Sequence, residues 1–222
     1  MLKLGKSLKD SDALWRYLTL DKFIDLVESK TLFFSPLASF AKTDPFEGYL
    51  PRVAMEAMAS VTTTFRDRSR EEIQKLAQML PEGARPRLLA LRNEVESHVP
   101  TMREVYKNVA ACLMVNCWFR GEHESEAMWG LYSKTGVAIR TNIGAIRLAL
   151  ADDDASRDIH VGAVKYLDFS DESLTASDCV TVDGQMIGMA KRIAYAHENE
   201  VRMCITRDRS SNWLEMQKPV RA

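Results

Sequence analysis

The period of apolar and polar positions changes repeatedly along the chain, and each change predicts a new element. Residues 13–18, ALWRYL, are short and aromatic-rich and predict a strand. From Asp21 the apolar residues Phe23, Ile24, Leu26 and Val27 recur on one helical face, with Asp21 placed to cap the helix and Lys30 at its end, where the dipole favours a cation. Residues 31–35, TLFFS, predict a second strand, and residues 37–43 a loop. Asp44-Pro45-Phe46-Glu47 then reads as a helix start, with Asp44 as N-cap, Pro45 as the first helical residue and Glu47 reaching back to the cap. That makes residues 49–59 helical.

Residues 62–108 read as a helical excursion. Residues 66–75 are densely charged with both signs, and Pro81, Gly83 and Pro86 break the chain. The apolar sets Ile73, Leu76, Ala77, Leu80 and Leu88, Leu91, Val95 predict helices that pack on something, and Pro100 separates a further helix over 101–108. Strands return at 112–119, CLMVNCWF, a near-continuous apolar run of buried-strand length. Ser125 is placed to cap a short helix bearing Met128, Trp129 and Tyr132. Residues 136–140 predict a strand, and Thr141 or Asn142 a cap for a helix over 143–150, ended by Asp152, Asp153 and Asp154. Residues 159–167 read as a strand, 168–183 as a loop, 185–194 as a helix, 200–206 as a strand and 213–220 as a further edge strand. The sum is one α+β domain over residues 1–222: a central mixed or antiparallel sheet flanked by helices, with 62–108 as a helical insertion.

Composition narrows the function more than the fold. The chain has 222 residues, 46% hydrophobic and 27% charged, enough to bury a core without staples. Thirty basic residues against 31 acidic ones leave a net charge of −1, which argues against a broad nucleic-acid or anionic-membrane surface. No apolar run approaches a membrane span and no apolar leader is present, so a cytoplasmic protein is expected. Cys112, Cys117, Cys179 and Cys204 form no C-x-x-C and are expected as thiols; with His98, His123, His160 and His197 they lack metal-ligand spacing, so no metal site is expected. Nucleotide-binding glycine loops and the G-x-S-x-G elbow are also absent.

The candidate chemistry comes from strand alternation. Arg16 shares a predicted strand face with Leu14 and Leu18, so it needs a carboxylate partner if that face is buried. In the last strand Val201, Met203 and Ile205 mark one face, and Glu200, Arg202 and Cys204 the other; Glu198 joins the second face if the extended conformation begins early. A bidentate pair between Arg16 and Glu198 or Glu200 is the expected contact. Glu198 and Glu200 are the candidate acid/base pair, and Arg16, Ser35, Arg202, Trp129 and Tyr132 the candidate ligand-binding residues. The commoner alternatives are that the charges form a buried structural network, that Asp44 and Glu47 only cap a helix, and that Trp129 and Tyr132 belong to the core. His197 is read as a surface histidine.

Leu14-Trp15-Arg16-Tyr17, Leu32-Phe33-Phe34-Ser35-Pro36 with Phe40, Asp44-Pro45-Phe46-Glu47, Cys117-Trp118-Phe119, Met128-Trp129-Gly130-Leu131-Tyr132, Gly136-Val137-Ala138-Ile139, Val164-Lys165-Tyr166, and Lys191 with His197-Glu198-Asn199-Glu200-Val201-Arg202 follow one another along the chain. In that order they resemble the bacterial "domain of unknown function 2971" family, over residues 14–205. A more distant likeness, an arginine on the first strand, a strand ending in serine and a late Glu-x-Glu-Val, is similar to the ADP-ribosyltransferases. It implies NAD or a small nucleotide-like ligand, with Arg16 at the diphosphate or ribose, Ser35 on the nicotinamide side, Glu200 at an oxocarbenium-like transition state and Glu198 orienting the acceptor. The expected function is a non-catalytic binding or effector module with a structural Arg–Glu cluster; the alternative is an NAD-using transferase or glycohydrolase centred on Arg16 and Glu200.

Overall fold

The computed structural model describes residues 2–79, 81–97, 102–132, 135–151, 158–180, 183, 188–207 and 220–221. Strand β1 (Leu2–Leu4) precedes β2 (Ala13–Leu18), whose aromatic and branched side chains suit a pleated, half-buried surface. Helix α1 (Leu20–Ser29) follows; its N-cap is Thr19 rather than Asp21, which sits in the first turn, and Lys30 closes it in the left-handed conformation. Its apolar residues do not share one fate. Phe23 and Leu26 are half-buried, whereas Ile24 and Val27 are exposed.

Strand β3 (Phe33–Pro36) leads into a 3₁₀ turn over Leu37–Lys42. The Asp44–Glu47 segment is a turn, not a helix start, and α2 (Arg52–Met79) begins only after Pro51. Asp44 does accept from the Phe46 N–H at 3.1 Å, as a cap would, but Asp44 and Glu47 are both enclosed and their carboxylates also pair with distant basic residues. With α3 (Arg85–Ser97) and α4 (Met102–Cys112), α2 forms a helical stretch longer than the expected excursion. Of its expected packing residues, Ile73 and Ala77 are half-buried but Leu76 is exposed.

The second half supplies β4 (Leu113–Arg120), α5 (Glu126–Tyr132), β5 (Val137–Asn142), α6 (Ile143–Ala149), β6 (Ile159–Ala163), β7 (Lys165–Leu167), β8 (Ala190–Arg192), β9 (Glu200–Thr206) and β10 (Val220–Arg221). Asn142 caps α6 by accepting from the Ala145 N–H at 2.8 Å. The expected strand over 159–167 breaks at Val164 because its backbone N–H turns to the Glu200 carbonyl while Lys165 turns to Met189. The expected helix over 185–194 is corrected: Ala190–Arg192 is a strand parallel to β7, and Ile193–Glu198 is a 3₁₀ turn. The acidic run 152–154 and residues 213–219 lie outside the described residues; Val220 and Arg221 pair with β3.

The main sheet runs β1-β6-β9-β4-β2-β5, with β3 beside β4 and β10 beside β3. It is mixed, since β1 pairs parallel with β6 and the other neighbours are antiparallel. With its flanking helices it makes the α+β architecture expected from the sequence. One face buries Leu14, Phe34, Met114, Trp118, Val201 and Met203; on the other, Leu37, Val115, Met189 and Cys204 pack together.

One topological feature positions the site. Strand β4 shares a single edge with two strands, pairing with β3 at Met114 and Val115 and with β2 at Phe119 and Arg120. Among the described residues, 116–118 have no ladder partner on that edge, so the sheet splits there. The split opens a cleft between β2 and β3 with β4 at its floor.

Candidate functional site

The local backbone places the charges. Residues 193–198 form a 3₁₀ turn that ends at Asn199 in the left-handed conformation, φ 33°, with the Asn199 side chain bonded to the Arg120 carbonyl at 2.6 Å. Glu198 therefore reaches the same side as Glu200 by a turn, not by an early start of β9. In β9 the alternation holds: Val201, Met203 and Ile205 join the core, and Glu200 and Arg202 face the other side.

Arg202 is only 2% exposed and fully engaged. Its Nε donates to Glu200 Oε1 at 2.7 Å and its Nη2 to Glu200 Oε2 at 3.0 Å; Nη1 donates to Glu47 Oε1 at 2.7 Å and to the Gly188 carbonyl at 2.6 Å. Gly188 has φ +79°, and a Cβ there would fall 2.4 Å from Leu113 Cδ2, so this carbonyl is presented by a backbone that favours glycine. Lys191 on β8 adds a second buried cation. It donates to Glu198 Oε2, lies 3.5 Å from Glu200 and 3.8 Å from Glu47, and sits 4.6 Å from the centre of the Tyr195 ring. Tyr132 donates to Glu198 Oε1 at 3.3 Å.

Burial alone would raise the Glu200 carboxyl, but the charge and hydrogen bonds of Arg202, with Lys191, outweigh it and hold it at about 2. Burial pulls Arg202 and Lys191 down, and the surrounding carboxylates more than reverse this. The Cys117 thiol beside Glu200 is pushed well up by burial and by the carboxylate, so it stays protonated and is a poor nucleophile.

The expected bidentate pair between Arg16 and Glu198 or Glu200 is not formed. Arg16 makes no hydrogen bond or ion pair among the described residues; its guanidinium carbon lies 5.6 Å from the centre of the Trp118 ring. Arg202, not Arg16, is the partner of Glu200, because β9 carries both residues on one face, whereas the register of Trp15 with Phe119 and of Phe119 with Glu200 puts Arg16 on the other face, beside Trp118. Burial lowers the Arg16 pKa.

Arg16 instead lines the cleft, a cavity of about 380 Å³ in the range of small-molecule sites. Ser35, Trp118, Tyr132, Lys191, Glu198, Glu200 and Arg202 line it as well, with Asp21, Lys22 and Asp25 on the α1 wall. The fold thus gathers six of the seven candidate residues. Trp129 is the exception: it does not line the cleft, and packs edge-to-face on Tyr17 at 5.1 Å while donating to Glu124. Tyr132, one turn later, is 47% exposed rather than core. His197 is exposed, as expected.

Sequence reasoning missed two network members, Glu47 and Lys191. Glu47 was absorbed by the capping pattern and Lys191 by the expected helix. The available signal was the pairing of Asp44 and Glu47 with the basic pair Lys191-Arg192, which the structure joins as Asp44 to Arg192 at 2.7 Å and Glu47 to Lys191 at 3.8 Å. No cluster able to hold a metal ion occurs among the described residues, nor does any helix long and apolar enough to cross a membrane.

The chain matches no protein-family model, no curated protein and no solved structure.

Proposed function

We propose that the chain is a ligand-binding module of the "domain of unknown function 2971" type, whose cleft takes a small anionic, nucleotide-like molecule. The observation that supports this is Arg16: a half-buried guanidinium in a concave site, over the Trp118 ring at 5.6 Å and without a carboxylate partner among the described residues. Desolvating such a charge is costly unless an anion meets it. Arginine with flanking aromatic rings suits phosphate and base together. A cytoplasmic setting fits the four cysteines, all free thiols.

A thermal-shift titration with NAD, ADP-ribose and nucleoside monophosphates tests the reading. A ligand at 100 times its dissociation constant adds about 2.7 kcal/mol of stability. The shift should vanish in Arg16→Gln, and no shift with any of these anions would discard the cleft as a nucleotide site.

A second reading, an enzyme that cleaves or transfers the ADP-ribosyl group of NAD, draws support from one observation: Arg16, Ser35, Glu198 and Glu200 border the same cavity. The full engagement of Glu200 by Arg202 counts against Glu200 as the charge-stabilising group. Release of nicotinamide from NAD, lost in Glu198→Gln and Glu200→Gln variants that still fold, would establish it over the binding module.

A further inference from the structure

We infer that the ligand of this cleft is a zwitterion, with its anionic group at Arg16 and an ammonium or other cationic group at Glu198. The inference rests on the cleft binding an anion, and adds the chemistry of the opposite end.

The buried network is not balanced. Glu47, Glu198 and Glu200 face two cations, Lys191 and Arg202. Arg202 holds both oxygens of Glu200, and Glu47 is held by Arg202 on one oxygen and faces Lys191 with the other. Glu47 does not line the cleft and Glu200 is held on both oxygens, so Glu198 is the member of this acidic surplus that a ligand in the cleft can reach. Its Oε2 is bonded to Lys191, and its Oε1 meets only the Tyr132 hydroxyl among the described residues, at 3.3 Å. A neutral phenol at that distance compensates a carboxylate weakly, and Tyr132 stands at the cleft with half its surface in solvent. A ligand cation can take its place with a charge-assisted hydrogen bond.

Arg16 lies elsewhere in the same cavity: it makes no ion pair with Glu198 or Glu200 among the described residues, and the register puts Trp15, not Arg16, on the sheet face of Glu200. The cleft therefore presents a cation unpaired among the described residues and an under-compensated carboxylate, and Trp118, Phe33 and Phe40 line the same cavity. The remaining charges of the α1 wall, Asp21, Lys22 and Asp25, do not alter the count, since Asp21 and Lys22 are in solvent and Asp25 is partnered.

Two aromatic phosphates that differ only by a terminal ammonium test the inference: O-phosphotyramine and para-ethylphenyl phosphate, titrated calorimetrically against the full chain. The wild-type protein should bind phosphotyramine about tenfold or more tightly than its uncharged counterpart, the usual worth of a charged hydrogen bond. Glu198→Gln should bring the two affinities together, and Arg16→Gln should weaken both. Because Glu198→Gln leaves Lys191 short of a partner, Tyr132→Phe is a second variant: freeing Glu198 Oε1 should widen the advantage of phosphotyramine. Equal wild-type affinities, an advantage that survives in folded Glu198→Gln, or nucleotide binding with no binding of either probe would overturn the zwitterion while leaving the anion cleft. No binding by probes or nucleotides would overturn the cleft reading itself.

Discussion

Arg202 grips Glu200, two residues away on the same strand, with parallel hydrogen bonds of 2.7 and 3.0 Å, and both side chains are enclosed. The same guanidinium also binds Glu47 and the Gly188 carbonyl, so one side chain ties β9 to the turn before α2 and to the approach to β8. Removing a single partner from such a group strands a buried charge, whereas removing a charge that has no partner relieves a cost. That contrast separates the expected effects of changes at Glu200 and at Arg16.

Glu200→Gln is expected to cost about 3–5 kcal/mol, the loss typical of breaking a buried ion pair from one side. Urea denaturation of purified protein measures it. A loss below about 1 kcal/mol would show that Arg202 does not depend on this carboxylate.

Arg16→Met is expected to leave stability within about 1 kcal/mol of wild type or to raise it, because a partly desolvated charge with no ion-pair partner among the described residues is replaced by an apolar side chain that can cover Trp118. Ligand binding should fall in the same variant. A large loss of stability on denaturation would mean that Arg16 has a structural partner after all.

The Glu200 carboxyl titrates at about 2 in the folded protein against an ordinary value of 4.5. A depressed folded pKa stabilises above the ordinary value and is lost as pH falls, so this contribution is complete above pH 4.5 and disappears by about pH 2. Its size is at most about 3 kcal/mol. Denaturation midpoints across that range should decline in wild type and decline less in Glu200→Gln. Parallel declines would place the acid sensitivity elsewhere.

Gly188→Ala is expected to destabilise by about 1–3 kcal/mol, since its φ of +79° lies in the left-handed region and the new methyl group meets Leu113. The Gly188 carbonyl accepts from Arg202, so the strain should reach the network. Combining the variant with Arg202→Met should cost less than the sum of the two, and strict additivity in the double-mutant cycle would show the two independent.

The amino-acid order by itself determined the periodic elements: the strands of residues 13–18, 112–119 and 200–206, the short helices with Trp129 and Ile143, and the face of β9 that carries Glu200 and Arg202. These follow from local spacing, because side-chain direction in a strand or helix repeats at a fixed period whatever the partner. Alternation also placed Arg16, Glu198, Glu200 and Arg202 near burial, where opposite charges must find one another. Tertiary structure decided which of them did. The register of β2 on β4 put Trp15 rather than Arg16 on the face of Glu200, and the left-handed turn at Asn199 swung Glu198 beside Glu200. Asp44 keeps the expected cap-type bond from the Phe46 N–H, at 3.1 Å, but tertiary pairing with Arg192 and Arg202 holds Asp44 and Glu47 in a turn rather than a helix start. Pairing of ions brought from 148 and 155 residues away depends on topology, which local periodicity does not encode.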